Sequence, residues 1–282
     1  MAGSITLNIQ DKNTVNMIKT IAHIADIHFR NFQRHDEFRA ICSNFLDQMK
    51  KIKPDRIVIA GDVVHSRNQI SPELVNEVSW FLNECAKLTG KVILIPGNHD
   101  IVEQNKDRMD ALQPIINTLD VENIKFYTTS EVFEDENIAW VNYAIYDNGS
   151  TPEAIRENNY NGKTKIGLFH GVVSGAVNEL GFKFTHGSDV EKFNVCDIVL
   201  CGDIHKRQIL KTQSGVEVIF PGSMIQQNFG ETVSEHGYGV LTINEGKLHY
   251  SFFDIENPVK YLNFKITDIS DIEEGTEMLI NA

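Results

Sequence analysis

Through the first hundred residues, short apolar runs alternate with longer stretches whose apolar positions recur at helical spacing. Ile21 to Ala25 reads as a strand, and Asp36 to Ile52 as an amphipathic helix. Arg56 to Ala60 and Lys91 to Ile95 are apolar without alternation, the pattern of strands buried on both faces. Between them, Ser71-Pro72-Glu73 opens a helix that runs to about Leu88. Serine suits the cap, and proline suits the first turn, where its missing N–H costs nothing. Strand–helix–strand–helix order predicts a parallel sheet.

The second half is richer in short strands: Ile138 to Tyr143, Thr164 to Phe169, Asp197 to Leu200, Val216 to Phe220, Tyr238 to Ile243 and Leu248 to Phe253. Turn pairs at Asn161-Gly162, Ser214-Gly215 and Glu245-Gly246 separate several of them. The expected fold class is therefore α/β, two sheets packed together with helices outside. Residues 1–257 read as one domain. After Pro258, Val259 to Ile266 looks like one more strand, and with the acidic stretch Asp268 to Glu277 it reads as the beginning of a second domain over 258–282.

Composition narrows the picture. A chain of 282 residues, 41% hydrophobic, can bury a core without disulfide staples. Cys42, Cys85, Cys196 and Cys201 form no CxxC pair and have no partner histidines at zinc-finger spacing, so they read as buried free thiols in a reducing compartment. Met1 to Thr20 lacks the apolar core of a signal peptide and no run is long enough to span a bilayer. A soluble cytoplasmic protein with no membrane partner is expected. The net charge of -13, from 39 acidic against 26 basic residues, argues against gripping nucleic acid by bulk charge. Small basic clusters at Arg30/Arg34/Arg39, Lys50/Lys51/Lys53 and Lys206/Arg207/Lys211 leave nucleic acid open without arguing for it.

The candidate chemistry lies in five groups just after predicted strands: Asp26-Ile27-His28, Gly61-Asp62-Val63-Val64-His65, Gly97-Asn98-His99-Asp100, Phe169-His170-Gly171 and Gly202-Asp203-Ile204-His205. In a parallel sheet the carboxyl ends of the strands converge on one crevice, so five loops can deliver ligands to one point. Singly, each group has an ordinary explanation: a turn, a surface histidine, a chance Asp-x-His. Together and in this order they are improbable as coincidence. Carboxylate, imidazole and amide without thiolate are the ligand set of manganese, iron or zinc rather than of a structural zinc. The logic is that of two cations about 3.5–4 Å apart clamping a phosphate and the attacking oxygen. Asp62 is the candidate bridge. Asp26, His28 and His205 would hold one ion, and Asn98 and His170 the other. His99, beside Asn98, would stabilise or protonate the leaving oxygen, and His65 would orient the phosphate or His99. His23 reads as structural, and His35, His186, His236 and His249 have no partner legible in the sequence.

This order of motifs resembles the calcineurin-like metallophosphoesterases, which implies a four-layer α-β-β-α sandwich of two mixed sheets with two metals at the sheet edge. Ala22 to His28, Ile59 to Ser66, Gly202 to Lys206 and Phe220-Pro221-Gly222-Ser223, with Phe229-Gly230-Glu231 after it, are similar to the SbcD-type DNA nucleases in particular. The resemblance implies a DNA exonuclease, and endonuclease as well, of break repair and recombination. It also implies two divalent ions, manganese first with Mg2+, Fe2+ or Zn2+ as alternatives, an SMC-like coiled-coil ATPase partner, and a homodimer through the helices near Pro72 to Leu88 and Arg108 to Leu119. Three departures stand out. Asp203 occupies the place of a usual histidine ligand on the ion held by Asn98 and His170, so binding through a water or an inward shift of the loop would be needed. Arg30 stands where a glycine is frequent and would contact phosphate, with Ser66 and Lys206 as further substrate contacts. The capping domain and ATPase-binding segment are absent or only begun by 258–282. Two rival readings remain: a phosphomonoesterase or small-molecule phosphodiesterase of the same fold, and a degenerate metal-site scaffold.

Overall fold

The computed structural model describes residues 17–103, 105, 107–119, 121–157 and 160–263. The first sheet is built from β1 (Thr20–Ile24), β2 (Arg56–Ala60), β3 (Lys91–Ile95) and β4 (Ile124–Phe126), all parallel, extended beyond β1 by the antiparallel pair β11 (Gly237–Asn244) and β12 (Lys247–Asp254). The second sheet runs in the order β5 (Val132–Asp135), β6 (Ile138–Tyr143), β7 (Thr164–His170), β8 (Ile198–Gly202), β10 (Glu217–Phe220) and β9 (Gln208–Lys211). Its four inner strands are parallel and its two edges antiparallel.

The side-chain period of two explains why the central strands read as unbroken apolar runs. Along β2, Ile57 and Ile59 pack on the helices α1 (His35–Ile52) and α2 (Pro72–Leu88), while Val58 and Ala60 face the second sheet. The inter-sheet layer joins Ile21, Ile93 and Leu241 to Trp140, Ile166, Leu168 and Leu200. The outer face of the second sheet packs Tyr143, Val199 and Phe220 against Ile155 of α4 (Glu153–Glu157), Phe193 of a 3-10 helix (Val190–Val195) and the segment around Val173. Two mixed six-stranded sheets flanked by helices result, as the sequence led us to expect, with the fourth layer made of short helices and loops. Residues of α3 (Gln113–Thr118) pack beside α2.

Local chemistry fixes the boundaries. The Ser71 hydroxyl accepts from Leu74 N–H at 3.2 Å, capping α2. At the foot of the sheets the Arg56 guanidinium forks onto Asp135 at 2.7 and 2.9 Å and Lys91 reaches the same carboxylate at 2.6 Å, a buried ion cluster tying β2 and β3 to β5. The four cysteines are free and buried. Among the described residues, no helix is long and apolar enough to cross a membrane. The expected strand at Val259 to Ile266 is not formed over its described part, up to Asn263. Its remainder, the Asp268 to Glu277 stretch and so most of 258–282 lie outside the described residues.

Candidate metal centre

The carboxyl ends of β1, β2, β3, β7 and β8 line up at one edge, where their loops hold one another in place. Asp26 N–H donates to Gly61 O at 3.1 Å, His28 N–H to Asp62 O at 2.9 Å, and His65 N–H to Phe29 O at 2.9 Å. Asp100, fully buried, accepts from Val63, Val64 and Gly97 N–H at 3.3, 3.0 and 2.9 Å, so it pins the loop after β3 to the loop after β2. Asp26, His28, Asp62 and Asp203 all take left-handed backbone, φ 53, 55, 54 and 94°. For non-glycine residues that conformation costs roughly 1–2 kcal/mol each, the sort of strain that persists where surrounding structure enforces it. Gly61 and Gly97 are needed for room: a Cβ at Gly61 would strike the His170 ring, and one at Gly97 the Asp62 carboxylate.

Two half-sites face each other across Asp62. In one, Asp26, His28 and His205 converge, with His28 Nε2 and His205 Nε2 3.1 Å apart. In the other, His170 Nε2 lies 3.0 Å from Asn98 Oδ1 and 3.8 Å from Asp203 Oδ1. Asp62 gives one oxygen to each side: Oδ2 is 3.5 Å from His28 Nε2, and Oδ1 is 3.4 Å from His170 Nε2. Asp203 N–H donates to Asp26 at 3.0 and 3.2 Å, closing the ring of loops. All seven positions expected as ligands are thus brought together. His99 Nδ1 donates to His65 O at 2.6 Å, its ring stacks on His65 at 5.6 Å, and it meets the edge of His28 at 4.7 Å.

The histidine tautomers follow from their partners. His205 Nδ1 donates to Glu231 Oε1 at 2.8 Å and His170 Nδ1 to Ala60 O at 2.7 Å. Each Nε2 lone pair therefore points into the site, the orientation that ligating histidines are given by their outer partners. Burial pushes Asp26 up to about 7, against the pull of His205 and His170, and raises Asp203 as well. Burial also works on Asp62, but His170 and His28 outweigh it and hold that carboxyl below its usual range. Burial likewise drives His28 well below an ordinary imidazole, while His205 rises to about 9 because Glu231 and Asp26 overcome its burial. Three carboxylates and three imidazoles share one largely buried pocket. A divalent cation fits that set: it keeps the carboxylates ionised and the imidazoles neutral at once.

Two contributors were not legible in the sequence as working parts. Glu231, buried, accepts from His205, from Gln227 N–H at 2.8 Å and from Ser223 Oγ at 3.4 Å, which gives the Gly222-Ser223 and Phe229-Gly230-Glu231 stretches a physical reason: they back His205. Asp100 is the other. The expected substrate contacts are less engaged. Arg30 reaches Gln227 at 3.3 and 3.4 Å beside the cluster, and among the described residues neither the Ser66 nor the Lys206 side chain hydrogen-bonds to it. His35 and His236, which had no legible partner, bond to Arg30 O at 2.7 Å and to Ser223 Oγ at 3.1 Å. A cleft of about 930 Å³ opens beside the second half-site, bordered by Asn98, His170 and Asp203.

Residues 19–207 match the calcineurin-like phosphoesterase family, and the chain belongs to that family. It is 34% identical over 285 residues to the uncharacterized protein R555 of Acanthamoeba polyphaga mimivirus, an alignment covering 96% of this chain and 20% of that protein, so the chain spans about a fifth of that relative's length. It is 26% identical to the SbcD component of the nuclease SbcCD from Staphylococcus epidermidis, over 89% of this chain and 73% of that protein. The same component from Staphylococcus saprophyticus is also 26% identical, over 86% and 70%. A dimetal phosphatase from Danio rerio shares the fold, with a TM-score of 0.53 at 12% identity, covering 83% of this chain and 95% of that one. Membership of this family and the buried Asp/His cluster make the chain a metallophosphoesterase-type hydrolase whose site suits divalent metal ions.

Proposed function

We propose that this member of the calcineurin-like phosphoesterases is a two-metal DNA nuclease that hydrolyses phosphodiester bonds at DNA ends, with manganese as the working ion. The observation that carries the two-ion part is Asp62, whose two oxygens face His28 and His170 at 3.5 and 3.4 Å. Asp26, His28 and His205 would hold one ion and Asn98, His170 and Asp203 the other, with Asp62 between them. When bound, such a pair would polarise the phosphate and activate an attacking water. The side-chain oxygen of Asp203 at 3.8 Å from His170 Nε2 is consistent with a carboxylate serving where a histidine is usual.

The protein's own groups do the rest. His99, fixed by its Nδ1–H on His65 O, would give the leaving oxygen a proton from Nε2 in its doubly protonated form. His65 holds His99 by its carbonyl and by the stacked ring. Arg30 offers a guanidinium for the phosphate oxygens. The nuclease assignment, rather than a phosphatase, is supported by the similarity to the two staphylococcal SbcD proteins, which extends well past the matched family segment. On the same footing we assign an SMC-like coiled-coil ATPase as partner and a homodimer. The dimer reading is supported by an apolar hollow at α2 and α3, where Ile70 and Met109 are exposed beside Val75 and Ile115.

The test is cleavage of end-labelled linear duplex DNA with manganese, against magnesium and chelator, by the wild type and His99→Ala. The expected result is manganese-dependent cleavage, lowered in the variant by about 10²- to 10⁴-fold with its metal content unchanged. Hydrolysis of aryl phosphate monoesters without any cleavage of DNA would assign the chain to the phosphatases of this fold instead.

A further inference from the structure

Lys192 is the one lysine or arginine that borders the cleft beside the second half-site, among the described residues. Its ammonium is half-buried and stands over the rings of Phe169, Phe193 and Tyr143, 4.2, 5.0 and 5.5 Å from their centres. It donates to Gly149 O at 2.9 Å and Ser188 Oγ at 2.7 Å. Among the described residues, no carboxylate lies within ion-pair distance of it; the charges nearest along the cleft wall are Asp203, within the metal cluster, and the exposed Glu103. The backbone is shaped around it: Gly149 has φ 63°, and a Cβ there would strike both Phe169 and the Lys192 Nζ.

A cation drawn out of water without a counter-ion is costly, and burial pulls this ammonium down to about 8. Aromatic faces and neutral acceptors offset only part of that. Two of its three N–H groups are engaged by neutral acceptors, and Lys192 lines the cleft. The placement matters as well, because the cleft wall that carries Lys192 also carries His170 and Asp203 of the second half-site. A group attached to a phosphate held at that half-site has this wall beside it.

Resting on the phosphodiesterase reading, we propose that Lys192, with the Ser188 hydroxyl beside it, is a subsite for a second phosphate of the substrate, one sugar away from the phosphate that reacts. The subsite gives the cleft its preference for a nucleic-acid strand over an isolated ester. A strand offers a phosphate there at every step, whereas a simple monoester offers none, so a single lysine can discriminate in an otherwise acidic protein.

The experiment is titration calorimetry of the manganese-loaded chain with thymidine 3′,5′-bisphosphate, thymidine 3′-phosphate and thymidine 5′-phosphate. The wild type should bind the bisphosphate on the order of tenfold more tightly than either monophosphate. Lys192→Met should lose that preference with both monophosphate affinities unchanged, and Lys192→Arg should retain most of it. A wild type without preference, or a Lys192→Met variant that keeps it, overturns the proposal. Equal weakening of all three ligands in Lys192→Met, with a lower melting temperature, also overturns it and makes Lys192 a clasp between the loops at Gly149 and Ser188. Failure of the nuclease reading is seen separately, in the duplex-cleavage assay, and leaves this binding result intact.

Discussion

At the scale of single residues, the centre is made of side chains whose partners fix their aim. Glu231 is the clearest case. It takes the Nδ1–H of His205, and its second oxygen is held by Gln227 N–H and Ser223, so neither group can turn away. Glu231→Gln keeps the shape but replaces a charged acceptor by a neutral one. Such outer partners are worth about 10–100-fold in metal affinity. We expect a loss of that size in manganese affinity at the half-site of Asp26, His28 and His205, read by calorimetry, while the far-ultraviolet circular dichroism stays the same. Unchanged affinity would show that His205 does not depend on Glu231 for its aim. Glu231 could not be found from the sequence because it lies 26 residues beyond its partner, in a loop with no periodic signal. The positions that converge at the site could be, because each lies at or shortly after the end of an apolar strand.

At the scale of elements, strands buried on both faces were the most legible: β2, β3 and β6 occupy the residues that their apolar runs mark out. The cap at Ser71 set the start of α2 equally well. What escaped were the short edge pieces β4, β5 and β9, three or four residues each, with Lys125, Glu134 and Lys211 interrupting any pattern. Pairing with a neighbour forms them, and pairing is not local information. Asp135, at the end of β5, shows how such a piece is secured: burial would raise its carboxyl, but Arg56 and Lys91 outweigh that and hold it down at about 2. A carboxyl depressed in the folded state stabilises the protein above its ordinary value of 3.8, and that contribution is lost as the pH falls through the folded value. Asp135→Asn leaves Arg56 with only the more exposed Glu136, at 3.2 Å, as counter-charge and should cost on the order of 3 kcal/mol near neutral pH. Measured by urea unfolding, the gap between wild type and variant should narrow from about pH 4 to about pH 2. A gap that is independent of pH would mean that the ion cluster contributes nothing through its charge.

At the scale of the whole molecule, the parallel strands of two mixed sheets point their carboxyl ends at one edge, and loops from five strands complete a single pocket there. The net charge of -13 makes the ions more than reactants. Without cations the pocket sets Asp26, Asp62 and Asp203 against one another and against any phosphate, so divalent ions would supply the positive charge needed there. That dependence separates the account from a scaffold of the same fold, in which a weakened second half-site would leave the cluster short of two ions. The measurement that bears on it most directly is equilibrium dialysis against excess manganese followed by elemental analysis, for the wild type and Asp62→Asn. Two tightly held ions per chain in the wild type, and fewer than two in the variant, are the predicted result. One ion or none in the wild type, or two ions that survive the loss of Asp62, would contradict a centre built around a shared carboxylate.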